Sequence, residues 1–307
     1  MDALRLGTRK SELATTQSRQ VADRLTELTG RPVELVGVTT YGDVTRAQLT
    51  QLGGTGVFVS ALRESLIAGE IDFAVHSLKD LPTAPDPRVV LAAVPPREDA
   101  RDALVGRYKL ADLPPGAKVG TGSPRRVAQL RALRPDLEYV PIRGNLDTRI
   151  GKVAAGELHA VVLAAAGLNR VGRDGEIGQI FEIDEVLPAP GQGALAVECA
   201  AGRTDLIELL GVLDDAATRA EVTAERAVLA ALQAGCAAPV GAFAMREREQ
   251  NREEPLNLTA AVVAIDGTRS VRKSTAGPAA NPMELGRELA ATMLAEGAGT
   301  LMGERIH

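Results

Sequence analysis

Short apolar runs alternate with amphipathic stretches over the first two-thirds of the chain, the pattern of strands and helices taking turns in an α/β protein. Residues 4–7 read as a strand. Residues 11–28 read as a helix with Leu13, Val21, Leu25 and Leu28 on one face and Gly30 closing it. A strand over 33–39, a helix near 57–68 and a strand over 73–77 follow, and 194–197 is again strand-like. From about residue 216 the texture changes. An amphipathic helix over 218–232, three strand-like runs (240–245, 256–264 and 270–276) and a helix near 282–296 appear without alternation, which predicts a separate small α+β domain.

The pattern repeats within the α/β part. Gly7-Thr-Arg-Lys-Ser11 resembles Gly120-Thr-Gly-Ser-Pro124, each ending a strand and opening a helix, with Ser123 and Pro124 suited to the N-cap and first turn. Gly69-Glu-Ile-Asp-Phe-Ala-Val75 likewise resembles Gly156-Glu-Leu-His-Ala-Val-Val162. The spacing between the two matches differs, so tandem repeats are excluded. Two similar α/β lobes facing each other across a cleft are predicted, with junctions at Pro95-Pro96 and at Pro188-Ala-Pro-Gly-Gln-Gly193.

Charge adds a local feature. The chain carries a net charge of −5, yet residues 118–152 hold eight Lys/Arg against three Asp/Glu, a surplus of +5. Arginines at turns, beside helix N-terminal amides, suit a ligand bearing several carboxylates or phosphates. Arg125, Arg126, Arg143 and Arg149 fit that role, with Thr121, Ser123 and Arg9 completing the site, whereas Arg131 and Arg134 read as a solvated helix face. The acidic balance and only seven Phe and Tyr with no Trp argue against nucleic-acid and membrane-surface binding. The first residues lack the basic and apolar regions of a signal peptide, the apolar run 160–166 is too short to span a bilayer, and two cysteines without a Cys-x-x-Cys pair fit a reduced, cytoplasmic protein. Three scattered histidines predict no metal site. A monomer is expected.

The repeat also acts as an internal control on the chemistry. The second copy continues Leu163-Ala-Ala-Ala-Gly-Leu168, whereas the first continues His76-Ser-Leu-Lys-Asp-Leu81. The fold therefore accepts apolar residues at this strand end, and the polar set there points to a ligand crevice, against the blander alternative of an exposed turn with a Lys–Asp pair. Asp80 is the one carboxylate of that turn and can move protons or stabilise a developing positive charge. Cys199 reads as a buried small hydrophobe and His159 as a surface or core-edge residue. Cys236, in Ala234-Gly-Cys-Ala-Ala-Pro239, is by composition equally bland, although its loop position between glycine and proline would let a sulfur reach a cleft. Gly53-Gly-Thr-Gly56 is either a flexible loop or a lid.

Together these stretches resemble the porphobilinogen deaminases, also called hydroxymethylbilane synthases. The resemblance rests on Leu6-Gly-Thr-Arg-Lys-Ser11, Gly53-Gly-Thr-Gly-Val-Phe58, Ala74-Val-His-Ser-Leu-Lys-Asp80, Arg97-Glu-Asp99, residues 120–126, 142–149 and 187–194, and Ala224-Glu-Arg226 through Gly235-Cys-Ala-Ala-Pro239. It implies two lobes like those of type II periplasmic binding proteins plus a C-terminal α+β domain: residues 1–95 and 194–213, residues 98–189, and residues 216–307. It also implies a dipyrromethane cofactor bound through a thioether at Cys236. Four porphobilinogen units extend that primer, each losing ammonia, and the linear tetrapyrrole is released by hydrolysis. Asp80 matches the catalytic position. Ser77, Lys79, Thr121, Ser123, Arg125, Arg126, Gly144 and Gln192 match cofactor contacts, and Arg9, Ser11, Phe58, Arg143, Arg149 and Arg170 match substrate contacts. Many members carry lysines where this chain has Gln51 and Thr55, which predicts weaker contacts from the lid. The competing reading is a two-lobed anion-binding or sensing module without catalysis. It accounts for the arginines and leaves Asp80 and Cys236 without a role.

Overall fold

The computed structural model describes residues 2–38, 55–235, 238–246 and 255–302, with the backbone alone for 55–58. The chain opens with strand β1 (Leu4–Thr8) and helix α1 (Glu12–Thr29). Ser11 caps that helix, its Oγ accepting the Ala14 N–H at 3.4 Å, and Gly30 closes it by donating its N–H to Thr26 O. Strand β2 (Val33–Gly37), helix α2 (Thr55–Ile67) and strand β3 (Phe73–Ser77) follow the predicted order. Part of the predicted lid, residues 51–54, and the predicted cofactor cysteine, Cys236, lie outside the described residues.

Two five-stranded sheets share one plan. The first has the order β2-β1-β3-β10-β4, with β4 at Val89–Ala93 and β10 at Leu195–Ala200. Strands β1, β2 and β3 run parallel, and β10 runs antiparallel to β3 and β4. The second sheet has the order β7-β6-β8-β5-β9, formed by β5 (Asp102–Gly106), β6 (Lys118–Gly120), β7 (Glu138–Val140), β8 (Ala160–Ala164) and β9 (Ile177–Ile180). Here β6, β7 and β8 are parallel, and β5 is antiparallel to β8 and β9. The two echoes read from the sequence therefore fall on equivalent strands, β1 with β6 and β3 with β8.

The repeated glycine has a steric cause. A Cβ on Gly7 would meet Ile71 Cδ1 at 2.3 Å, and a Cβ on Gly120 would meet Leu158 Cδ1 at 2.6 Å. Ile71 and Leu158 are themselves equivalent residues of the second echo. In each lobe one apolar side chain enters the space that a glycine at the end of the first strand leaves free.

Helices cover both faces of the second sheet. Leu104, Val119, Leu130 and Phe181 pack on one side, and Val105, Ile150, Val161 and Leu168 on the other. The central strand β8 is accordingly apolar throughout, as a strand buried on both faces is. In the first lobe Leu6, Leu25, Phe73, Val197 and Leu210 form the equivalent core. By packing, the chain forms two compact units, Met1–Glu98 with Ala194–Arg219 and Asp99–Gly193 with Ala220–His307.

The C-terminal part of the second unit is a three-stranded antiparallel sheet, β11 (Val240–Arg246), β12 (Pro255–Val263) and β13 (Ser270–Pro278), with helix Pro282–Ala295 packed against it. Ala261 and Val263 of β12 pack on Ala128 and Leu187 of the second lobe, so this sheet shares a core with that lobe. The edge strand β13 is exposed at alternate residues and carries Arg272 and Lys273, charges that discourage edge-to-edge pairing.

Candidate functional site

Strand β3 ends in a single 3₁₀ turn, Leu78–Asp80, which sets the positions of Lys79 and Asp80. Leu78 anchors the turn from below: its side chain is fully buried and its N–H donates to Ala194 O at 3.0 Å. The two following side chains are left half-buried, as a binding surface needs. Ser77 is tied to α1 by Gln17, whose Nε2 donates to Ser77 Oγ at 3.2 Å. Gln17 is 95% buried and was not singled out from the sequence, where it reads as one more polar residue of a helix.

Behind this turn lies a buried ionic cluster that the sequence did not reveal. Glu198 on β10 accepts from Arg63 through both oxygens, Nε to Oε2 at 3.0 Å and Nη2 to Oε1 at 2.6 Å. His76 Nε2 lies 3.3 Å from Glu198 Oε2. Burial alone would raise the Glu198 carboxyl, but its contacts with His76 and Arg63 prevail and hold it at about 2. One guanidinium faces one carboxylate, so the charge balances. Its placement under the β3 terminus means that part of the polar set read as ligand-facing, His76 in particular, is turned into the lobe.

In the second lobe, helix α3 (Pro124–Leu133) begins directly after β6. Pro124 occupies its first turn as expected, but Ser123 departs from the expectation. It stands at the N-cap position without a side-chain cap bond, and its own N–H donates to Thr121 Oγ1 at 3.3 Å. Arg125 and Arg126 are almost fully buried, at 3% and 6% exposure, and both reach Asp102 at the start of β5. Arg126 donates Nε and Nη2 to Asp102 Oδ1 at 3.0 and 2.7 Å, while Arg125 Nη1 lies 2.8 Å from Oδ2. Gln192 adds Nε2 to Oδ1 at 2.8 Å, and backbone carbonyls of Leu187 and Val162 accept from Arg125 and Arg126.

This second cluster does not balance. Among the described residues Asp102 is the one acidic partner of both arginines. Burial raises the Asp102 carboxyl, but the field of the two arginines outweighs it and keeps the group well below the usual carboxylate range. Burial lowers Arg125 from the ordinary guanidinium value, and Arg126 beside it adds to that against the pull of Asp102. Arg125 Nε is buried with no hydrogen-bond acceptor among the described residues. A surplus cation beside the unmatched Arg125 Nε, buried in the lobe, favours binding of one more anion, although Asp102 Oδ2 is also left without a hydrogen bond among the described residues.

Of the remaining predicted residues of this lobe, Arg143, Gly144 and Arg149 lie at or beside one turn, and Arg170 reaches another. Gly144 has φ +110°, a conformation strained for any side chain, and a Cβ there would come within 2.8 Å of Thr148. Its carbonyl accepts Arg149 Nε at 2.8 Å. Asn145 caps helix α4 (Leu146–Ala154) through Thr148 N, and Arg143 is exposed beside it. Arg170 Nη2 donates to Gly193 O at 2.7 Å. The Gly191–Gly193 turn is gripped from the C-terminal sheet side by the fully buried Glu225, which accepts from Gly191 N and Ala244 N. In the first unit, Arg9 and Ser11 lie at the end of β1, both half-buried, with Ser11 engaged as the α1 cap. The side chain of Phe58 lies outside the description.

Arg131 and Arg134 correct the reading of a solvated face. Arg134 is a staple, donating to the carbonyls of Leu110, Ala111 and Leu113 and to Asp136, and Arg131 donates to Ile265 O and lies over the Tyr139 ring at 5.9 Å. Cys199 is buried, and burial pushes its thiol up to about 11, which makes it unreactive. Asp102 had one signal in the sequence, an acidic residue opening an apolar run, which needs a partner once the strand is buried.

No group of metal-ligating side chains occurs among the described residues, and no helix there is long and apolar enough to cross a membrane. Residues 4–208 match the family model described as porphobilinogen deaminase, dipyromethane cofactor binding domain, and residues 219–295 match the porphobilinogen deaminase C-terminal domain. A porphobilinogen deaminase of Thermobifida fusca is 62% identical, covering 98% of this chain and 96% of that protein. Porphobilinogen deaminase 1 of Streptomyces coelicolor is 60% identical over 99% of this chain and 98% of its own length. Among solved structures, the methionine-binding protein MetQ covers 69% of this chain and 89% of its own, with a TM-score of 0.45 and 11% identity.

Proposed function

The chain belongs to the porphobilinogen deaminase family, and from that premise we propose that it joins four porphobilinogen molecules head-to-tail into the linear tetrapyrrole hydroxymethylbilane. The growing chain is held on a dipyrromethane primer attached through a thioether to Cys236. The observation that carries this reading is the unbalanced cluster of Arg125, Arg126 and Asp102. A primer whose pyrroles bear acetate and propionate arms supplies the missing anion, so the residues fit the group. When bound, the dipyrromethane supplies an anchored pyrrole end for extension.

Each residue set has a task in this scheme. Arg125 and Arg126, with Thr121, Ser123, Gly144 and Gln192, hold the primer carboxylates, and Lys79 and Ser77 are assigned to the primer by their match to the family's motif. Asp80 stands where ammonia departs from the aminomethyl arm of porphobilinogen. Its carboxylate stabilises the positive charge that this departure leaves on the substrate pyrrole. Arg9, Ser11, Phe58, Arg143, Arg149 and Arg170 orient the incoming unit through its carboxylates and ring. The sheet memberships support assigning residues 1–95 with 194–213 to the first lobe, 98–189 to the second and 216–307 to the domain that carries the primer cysteine.

Intact mass spectrometry of the purified protein tests the central step. The wild-type chain should carry an adduct of two pyrrole units, and Cys236→Ser should carry none. A wild-type chain that stays unmodified after incubation with porphobilinogen would overturn the proposal, as would an adduct that survives Cys236→Ser.

A further inference from the structure

The two arginines of the primer site owe their arrangement to a residue that touches no ligand in the scheme above. We propose that Asp102 is the positioning residue of this site: it fixes both guanidiniums and cancels one of their two charges, so that the pair presents a single net positive charge to one ligand carboxylate. The proposal rests on the primer reading.

Three observations carry it. First, Asp102 is completely buried and divides its oxygens, Oδ1 accepting from Arg126 Nε and Nη2 and Oδ2 making an ion-pair contact with Arg125 Nη1 without hydrogen-bond geometry. A carboxylate shared in this way locks two flexible side chains into one geometry and removes the rotamer entropy that ligand binding would otherwise have to overcome. Second, Asp102 is itself held. Gln192 donates Nε2 to Oδ1 and to Ala100 O at 2.7 Å, so the carboxylate cannot rotate without breaking a buried bond. Third, the remaining donors are nearly used up. Arg126 Nη1 goes to Val162 O, Arg125 Nη1 to Leu187 O, and Arg125 Nε is left as the buried donor without an acceptor. In the other lobe the charges of Arg63 and Glu198 balance, and the buried atom left over among the described residues is an imidazole nitrogen, His76 Nε2, whereas the charges around Asp102 do not balance. The Asp102 cluster stops one anion short.

Removing the carboxylate therefore has two consequences that a purely structural residue would not produce together. The guanidiniums lose their fixed geometry, which slows primer loading. The site also gains a charge, which strengthens its attraction for small inorganic anions that compete with the primer. The experiment follows the two-pyrrole adduct by intact mass on apoprotein incubated with porphobilinogen, with and without added sulfate, for wild type, Asp102→Asn and Asp102→Glu. Folding of each apoprotein is checked by circular dichroism. Loading of Asp102→Asn should slow by about tenfold or more, the scale of a lost charged hydrogen bond, and the sulfate concentration that halves loading should fall several-fold. Asp102→Glu keeps the charge and shifts the carboxylate, so its loading should slow while its sulfate sensitivity stays at the wild-type level.

Slow loading of Asp102→Asn with unchanged sulfate sensitivity would make Asp102 merely structural and overturn the inference, as would wild-type loading by either variant. Should Asp102→Asn fail to fold, Asp102→Ser, which also removes the charge, takes its place with the same two readouts: a several-fold fall in the sulfate concentration that halves loading sustains the inference, and an unchanged one overturns it. A wild-type chain that acquires no adduct would instead sink the primer reading itself.

Discussion

The two α/β lobes are built on one strand plan, yet each buries a different kind of ion cluster. Glu198 on β10 and Asp102 on β5 belong to strands that fill the same slot in their sheets, antiparallel to the third parallel strand. In the first lobe one arginine meets one carboxylate, with an imidazole alongside, and the charges cancel. In the second lobe two arginines meet one carboxylate, and a cation is left over. Both carboxylates are buried, but Arg63 is only partly covered while Arg125 and Arg126 are buried, so the second cluster is the deeper of the two. The charge sum separates a supporting cluster from a binding one, because an uncompensated charge in a dry interior is costly until a ligand matches it.

The comparison predicts opposite responses to mutation. The largest effect is expected in the lobe whose cluster is balanced, where the strand end above it carries the turn with Asp80. Asp80→Asn should lower ammonia release from porphobilinogen by about a hundredfold or more, the scale of removing one preorganised charge from a reacting centre, while circular dichroism stays unchanged. Near-normal turnover would remove Asp80 from the chemistry. Next come the arginines. Arg63→Leu leaves Glu198 buried with an imidazole alone and should cost about 3–5 kcal/mol of stability by urea unfolding. Arg125→Leu leaves a balanced Asp102–Arg126 pair, and Gln129 Nε2 still donates to Leu187 O at 3.0 Å, so its cost should be only about 1 kcal/mol, while primer loading is lost. Equal destabilisation by the two variants would break the distinction between the clusters.

The smallest effect concerns acid. The Glu198 carboxyl is held at about 2 against an ordinary 4.5, so its contribution to stability is present above pH 4.5 and is lost as pH falls towards 2. Glu198→Gln should flatten that part of the stability profile. An unchanged slope would mean that other carboxylates govern the acid limb.

Much of the plan was legible along the chain. Gly7 and Gly120 mark equivalent strand ends because each faces an apolar side chain, Ile71 or Leu158, that lies on the other echoed segment. Both echoes therefore carry the same local constraint, and a one-dimensional reading finds it. The contrast between His76-Ser-Leu-Lys-Asp80 and Leu163-Ala-Ala-Ala-Gly167 was legible for the same reason, since one fold position holds two kinds of residue. The ion clusters were not. Arg63 and Glu198 are 135 residues apart and Arg126 and Asp102 are 24 apart, and no periodicity links charges brought together by sheet pairing. Arg131 and Arg134 were read as surface for the same reason, because their acceptors are backbone carbonyls that carry no sequence signature.

Alternation of apolar runs, Gly and Pro at the turns and the family motifs by themselves determined the α/β class, the doubled lobe and the basic segment, all of which rest on local composition and short spacing. Only the tertiary structure decided which charges neutralise one another, which arginines are staples and which are left with a charge to offer. That division follows from the physics: propensity and patterning act between neighbours in sequence, whereas electrostatic balance is a sum over neighbours in space.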